Sequence, residues 1–79
     1  MKIGRITGTP TFDERRIFNG MDITAEYLDQ KERVRSLSFH YAYATNNLQG
    51  WVEKVLNSVL ENKEAPQDVT NIQTNWMNV

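Results

Sequence analysis

The stretch from residue 24 to residue 63 constrains the fold most, because it holds most of the apolar residues and contains no proline. Its apolar side chains recur at steps of three and four, which is the spacing of one face of an α-helix and close to a coiled-coil seam. The pattern predicts one long helix, or two consecutive amphipathic helices, over 24–63. The residues that follow the spacing are Val34, Leu37, Tyr41, Ala44, Leu48, Val52, Val55 and Val59.

Residues 36–45 carry a second pattern, which favours a β-strand. Leu37, Phe39, Tyr41 and Tyr43 occupy every second position, and aromatic residues that alternate with small or polar ones are typical of a half-buried strand. We favour the helix, because the three-and-four spacing passes through the same residues without losing phase. The predicted fold is thus mostly α, and the alternative is an α+β fold with a strand over 36–45.

The segments that flank the predicted helices carry their own signals. Asn19-Gly20 is the clearest turn signal in the chain, since both residues tolerate positive φ angles, and it predicts a short β-hairpin over 14–23. Two glycines and a proline argue against a helix in 1–13, which we interpret as an N-terminal arm or an edge strand. The segment 67–79 is expected to form a C-terminal arm of the same single small domain.

The size of the chain bears on its assembly. A chain of 79 residues is one domain at most, and domains of this size bury only about 60% of their unfolded surface. Small domains usually gain stability from disulfides, a metal or a partner subunit. The sequence has no cysteine and one histidine, which excludes disulfides and argues against zinc. We therefore predict a homodimer or a larger homo-oligomer, with no metal and no cofactor.

The charged residues nearly balance, with nine Lys and Arg against ten Asp and Glu. Such a balance lacks the strong positive field that is typical of proteins that bind nucleic acid. No apolar run approaches the roughly 20 residues of a transmembrane helix, so we expect no contact with a membrane. The missing cysteines fit a reducing compartment, and we expect the protein in the cytoplasm.

No pattern in the sequence indicates an enzyme. His40 is the only histidine, and no serine or carboxylate stands at a diagnostic spacing from it, whereas acid–base catalysis needs such a positioned partner. The sequence instead predicts a small non-catalytic protein that binds and modulates a macromolecular partner, with inhibition the expected effect. Short cysteine-free chains of this kind are common among the regulators of phages and mobile elements.

Five residues are the candidates for binding. Tryptophan and tyrosine are the usual anchors of protein interfaces, which selects Tyr43, Trp51 and Trp76. Arg33 and Arg35, together with aromatic residues, are the kinds of group that hold a phosphate and stack on a base. The alternative function is therefore a nucleotide- or nucleic-acid-binding module, in which arginine and aromatic side chains meet between subunits.

The run from 44 to 51, Ala-Thr-Asn-Asn-Leu-Gln-Gly-Trp, is similar to a Leu-Gln-x-Gly-Phe stretch in the helical-hairpin phage proteins that sequester cyclic nucleotides. The likeness covers less than a fifth of the chain and needs a gap, and the Arg-Trp pair that precedes the stretch in that family is absent. It does not assign the chain to the family. It implies only that ligand sequestration is one form of the alternative function.

Overall fold

The computed structural model describes residues 2–76, which form four strands and one helix. The strands build one antiparallel sheet in the order β1-β2-β3-β4. Helix α1 packs on one face of this sheet, mainly over β1 and β2, and the other face carries mostly polar side chains. The elements in chain order are β1 (Lys2–Phe12), β2 (Phe18–Leu28), β3 (Val34–Tyr41), α1 (Leu48–Leu60) and β4 (Val69–Trp76).

The prediction of a mostly α protein is wrong, because the described chain is dominated by antiparallel sheet. Of the stretch 24–63, only Leu48–Leu60 is helical, while the earlier part supplies the C-terminal end of β2 and all of β3. The alternative strand over 36–45 overlaps β3, which ends at Tyr41. The helical-hairpin architecture implied by the likeness at 44–51 is absent from the described residues.

The terminal segments are the two edges of the sheet. The first, predicted as an arm or an edge strand over 1–13, contains the edge strand β1. The second, predicted as an arm over 67–79, contributes the opposite edge strand β4 as far as Trp76. The last part of the predicted C-terminal arm, 77–79, lies outside the described residues.

The side chains of β2 and β3 alternate between the two faces of the sheet, as successive residues of a strand must. Ile23 lies opposite Phe39 in the β2–β3 ladder, and Ala25 lies opposite Leu37. All four residues are buried under α1 or beside it. The three-and-four spacing that passes through β3 is therefore coincidental, because burial there follows every second residue.

Helix α1 begins at a side-chain cap. The Oδ1 atom of Asn47 accepts a hydrogen bond from the backbone N–H of Gly50 at 3.2 Å, which satisfies a donor of the first turn. The helix buries three residues of the apolar face that the sequence pattern predicts for this segment, and these are Val52, Val55 and Leu56. Within residues 2–76, no helix is long and apolar enough to cross a membrane.

Two turns with the same geometry connect β1 to β2 and β2 to β3, over 13–17 and 29–33. In each turn the first residue is an aspartate whose Oδ1 atom accepts hydrogen bonds from the N–H groups two and four residues later, at 2.8 and 2.9 Å. The fourth residue, Arg16 or Glu32, has a positive φ angle of 64° or 58°. Aspartate is favoured at the first position of such turns because its short side chain accepts hydrogen bonds from the N–H groups of the following residues.

The hairpin prediction over 14–23 placed the turn at the wrong residues. Asn19 and Gly20 lie within β2, beside an irregularity in the ladder with β1. Gly20 is buried with a φ angle of 134°, and a Cβ atom there would collide with the carbonyl oxygen of Tyr41 and lie 2.7 Å from Nε2 of His40. The close approach of β3, and not a turn, therefore requires glycine at this position.

Candidate functional site

Strands β1 and β2 continue beyond the end of β3 as a two-stranded arm. The β2–β3 ladder runs only from Met21 to Leu28 on the β2 side, whereas the β1–β2 ladder extends to the pair Phe12 and Phe18. The turn over 13–17 closes the arm at its tip. The molecule is accordingly elongated, with dimensions of 43 × 28 × 19 Å.

The tip of the arm exposes apolar side chains. Phe12, Ile17 and Phe18 are 59%, 57% and 43% exposed to solvent. The two phenylalanine rings pair edge to face across the strands, with their centroids 6.2 Å apart, an arrangement that aromatic rings favour. Tyr43, which is 57% exposed, follows β3 at the same end of the sheet. We call these four residues the aromatic end.

The exposure is concentrated at this end of the molecule. Among the described residues, six large hydrophobic side chains are exposed, and four of them belong to the aromatic end. The other two are Val34, which begins β3 at the far end of the sheet, and Leu60, the last residue of α1. Concentrated apolar exposure usually marks a surface that contacts another molecule. The aromatic end is therefore the candidate interaction surface.

Charges of both signs accompany the apolar side chains at the tip. Glu14, Arg15 and Arg16 occupy the middle of the turn, and all three are exposed. The carboxylate of Asp13 differs, because its Oδ1 atom already accepts two backbone hydrogen bonds within the turn. The tip therefore carries the negative charges of Asp13 and Glu14, with Oδ1 of Asp13 engaged by the backbone, and the positive charges of the two arginines.

Two of the residues predicted for binding lie near the aromatic end, in different environments. Trp51 is half-buried, with the Tyr41 ring 4.1 Å from its own ring centroid and Nζ of Lys54 4.9 Å away over the ring. The Trp51 side chain therefore packs α1 against β3. Tyr43 contacts the edge of Tyr41 at 5.9 Å between centroids and remains largely open to solvent, as an interface anchor must.

The predicted arginines lie at the other end of the sheet. Arg33 closes the turn before β3, and Arg35 is the second residue of β3, so about 20 Å of strand separates it from the aromatic end. One chain therefore does not bring the arginines together with Tyr43 or Trp51. Trp76 pairs through its backbone with Arg35, and its side chain lies outside the described part of the structure.

The turn over 29–33 holds an electrostatically perturbed carboxylate. The backbone N–H of Arg33 is the largest cause that lowers the pKa of Asp29 below its ordinary value, and desolvation opposes it in part. The N–H of Lys31 and the guanidinium of Arg33 lower this pKa further, the guanidinium through a contact of 3.1 Å between Nε and Oδ2. Asp29 thus favours its charged form when the turn is folded.

This depressed pKa predicts a loss of stability in acid. The unfolded chain binds a proton more readily than the folded one, so Asp29 stabilises the fold above about pH 4, and its contribution disappears as the pH falls through the folded pKa. We expect Asp29→Asn, whose amide oxygen still accepts the turn hydrogen bonds, to lower the urea midpoint of unfolding more at pH 7 than at pH 2. Equal reductions at the two pH values would contradict this role of the charge.

His40 lies on the polar face of the sheet, at the base of the arm. Its Nδ1 atom is 3.0 Å from Oδ1 of Asp22, and its Nε2 atom is 3.1 Å from the backbone carbonyl oxygen of Asn19. Both ring nitrogens thus face acceptors in β2, and the side chain joins β3 to the arm. Among residues 2–76, no three acidic or histidine side chains form a group that could hold a metal ion.

The sequence patterns did not select Phe12, Ile17 or Phe18 for binding, although a usable signal was present. An aspartate stands at 13 and again at 29, and each is followed by three charged or amide residues. Two such turns, 16 residues apart, would have placed the phenylalanines on either side of a hairpin tip. The Asn19-Gly20 pair is the more familiar turn signal, so the turn was predicted there, although both residues lie in β2.

None of the protein-family models, curated proteins or solved structures compared with this chain matches it.

Proposed function

We propose that this chain is a small, non-catalytic, cytoplasmic interaction protein that binds a protein partner through its aromatic end and inhibits it. The observation that carries the proposal is the gathering of exposed Phe12, Ile17, Phe18 and Tyr43 at one end of the molecule. Removing apolar surface from water contributes about 25 cal/mol per Å² to association, and large aromatic side chains are frequent energetic centres of protein interfaces.

The structure of the arm supports binding by a preformed surface. The tip is closed by backbone hydrogen bonds between Asp13 and Ile17 and between Arg16 and Asp13, both 2.9 Å long, and the Asp13 carboxylate adds two more. A backbone ordered before association loses less conformational entropy on binding. A narrow arm that projects beyond the sheet also has the shape to enter a cleft and obstruct it, which is why we propose inhibition.

The environment of His40 supports a role without catalysis. A general base needs a ring nitrogen that is free to reach a substrate proton, and both nitrogens of His40 face acceptors of β2 instead. Its contacts to Asp22 and Asn19 join the arm to the rest of the sheet. The only histidine in the chain thus has a structural explanation.

Photo-crosslinking in the cells that express the protein tests the proposal. A photoreactive phenylalanine analogue at Ile17 is expected to form an adduct with a different polypeptide, because Ile17 lies at the tip. The same analogue at Thr24, which is exposed on the polar face of β2, serves as the matched control and is expected to form none. In the chain that carries the analogue at Ile17, the additional substitution Phe18→Ser should reduce the yield of the adduct at least about tenfold.

Two outcomes would overturn the proposed function. One is the absence of any adduct with a different polypeptide from Ile17. The other is an equal yield of the same adduct from Thr24, which would show that the aromatic end has no special part in the contact.

A further inference from the structure

We infer that in the free protein the aromatic end pairs with the aromatic end of a second copy across a two-fold axis, so that any other partner must displace the sister chain. This inference rests on the proposed function, since it takes the same surface as the contact and names its occupant. Two features carry it, the charges of the tip and the concentration of apolar exposure at one end, and the area available sets the strength of the contact.

The charges of the tip complement themselves. A two-fold interface brings a patch against its own copy, so the patch must attract itself. The turn presents two exposed acids, Asp13 and Glu14, beside two exposed bases, Arg15 and Arg16, and its own backbone engages Oδ1 of Asp13. Antiparallel approach of two tips can place each Glu14 against an arginine of the other copy. A rim of one sign would instead repel its copy and indicate a partner of opposite charge.

The position of the apolar side chains favours a closed dimer. Contact between two tips brings Phe12, Ile17 and Phe18 of one copy against the same residues of the other. A two-fold contact uses one patch on each chain, whereas a head-to-tail contact needs a second patch and continues into a ring or a filament. The net charge of −1 adds little repulsion at long range.

The area predicts a dimer that exchanges readily. Large aromatic side chains present about 150–250 Å² each, so four side chains that are about half exposed supply on the order of 400 Å². A standard stable interface buries about 800 Å² on each partner, and the polar turn must provide the remainder. A contact of this size shields the apolar side chains of the tip from water, and its affinity is low enough for a partner with a larger interface to displace the second copy.

The second turn shows that one charge of the tip, that of Arg16, can be reversed without changing the backbone of the turn. Glu32 occupies the position in the turn over 29–33 that Arg16 occupies at the tip, with nearly the same positive φ angle. Lys31 and Gln30 likewise correspond to Arg15 and Glu14. Glutamate is therefore compatible with the positive φ angle at position 16.

A charge-exchange experiment tests the inference with the full chain. Two variants are compared by sedimentation equilibrium, Glu14→Arg and the double variant Arg15→Glu with Arg16→Glu, each alone and as an equimolar mixture. We expect the wild type to dimerise, each variant alone to associate at least about tenfold more weakly because like charges face each other, and the mixture to recover a one-to-one heterodimer. Lys31→Glu, in the second turn, is the matched control and should dimerise as the wild type does.

The inference is overturned if the folded wild type stays monomeric up to about 1 mM, or if it dimerises and the variants dimerise equally well alone. Failure of the mixture to recover association also contradicts it. Circular dichroism confirms that each variant remains folded. A monomeric wild type that still forms a foreign adduct from Ile17 removes the dimer and leaves the proposed function. A dimer with the expected charge dependence, together with no adduct to a different polypeptide, supports the dimer and removes the proposed function.

Discussion

Replacing Gly20 by alanine is expected to lower the free energy of unfolding by about 3 kcal/mol or more, since overpacking and backbone strain add. The new Cβ atom would collide with the carbonyl oxygen of Tyr41 and lie 2.7 Å from Nε2 of His40. The backbone φ angle of 134° is, in addition, one that alanine rarely adopts. Neither neighbour yields easily, because one is backbone and the other is an imidazole held between two acceptors of β2.

Urea unfolding followed by tryptophan fluorescence measures this change. Gly4→Ala is the matched control, because a Cβ at that position meets Glu26 at 3.5 Å, an ordinary contact distance. We expect the control to alter stability by less than about 1 kcal/mol. If both variants are equally stable, the approach of β3 to Gly20 is looser than the structure shows.

Leu37→Ala is the second substitution with a large expected effect. Leu37 is fully buried in β3, and removing such a side chain from a core lowers stability by about 2–5 kcal/mol. Small domains are stable by only about 5 kcal/mol, so the variant should be partly or largely unfolded at room temperature. Its far-ultraviolet circular dichroism and urea midpoint report the loss.

A neighbour in the same strand provides the comparison for Leu37. Val34→Ala changes a residue that is 39% exposed, and we expect it to lower stability by less than about 1 kcal/mol. Had the helical prediction for this segment been right, Val34 and Leu37 would have lain on one buried face and responded alike. A large difference between the two variants is therefore also a solution test of the strand.

These two positions connect the stability of the sheet to the proposed interaction surface. Gly20 and His40 stand where the arm leaves β3, so damage there alters the base of the arm as well as the fold. The residues proposed to contact a partner, such as Ile17 and Phe18, are exposed and contribute little to the core. Substitutions at the tip should therefore affect association with the fold retained, which separates the two kinds of variant in experiment.

Local patterns described α1 well and the strands poorly. The apolar face of α1 and the weak helix propensity around Asn47 are both visible in the sequence, and both have direct structural counterparts in the packing of Val55 and the helix cap. Residues 22–27 also alternate polar and apolar side chains, yet most of them fall within the stretch 24–63 that we predict to be helical. A strand gains its hydrogen bonds from distant residues, so short windows do not reveal which of two periodicities is used.

The residues predicted for binding also differ in how far neighbours from other elements engage them. Tyr43 is at the aromatic end, but Trp51 is packed between Tyr41 and Lys54, and Arg33 pairs with Asp29. Residue type alone selects good anchors without indicating which of them remain free to make contacts. That distinction depends on neighbours contributed by other elements.

The sequence by itself determined the amphipathic face of α1. The cap at Asn47 and the two aspartate turns are equally local, because each depends on atoms within a few residues of one another, but no prediction from the sequence used them. Only the tertiary structure decided that Phe12 and Phe18 are exposed on a projecting arm. Their exposure follows from the end of β3 at Tyr41, opposite Met21, which leaves the last part of the β1–β2 hairpin without a third strand. The register between β2 and β3 determines where the three-stranded part of the sheet ends, and the spacing of residues within one segment of the sequence does not predict that register.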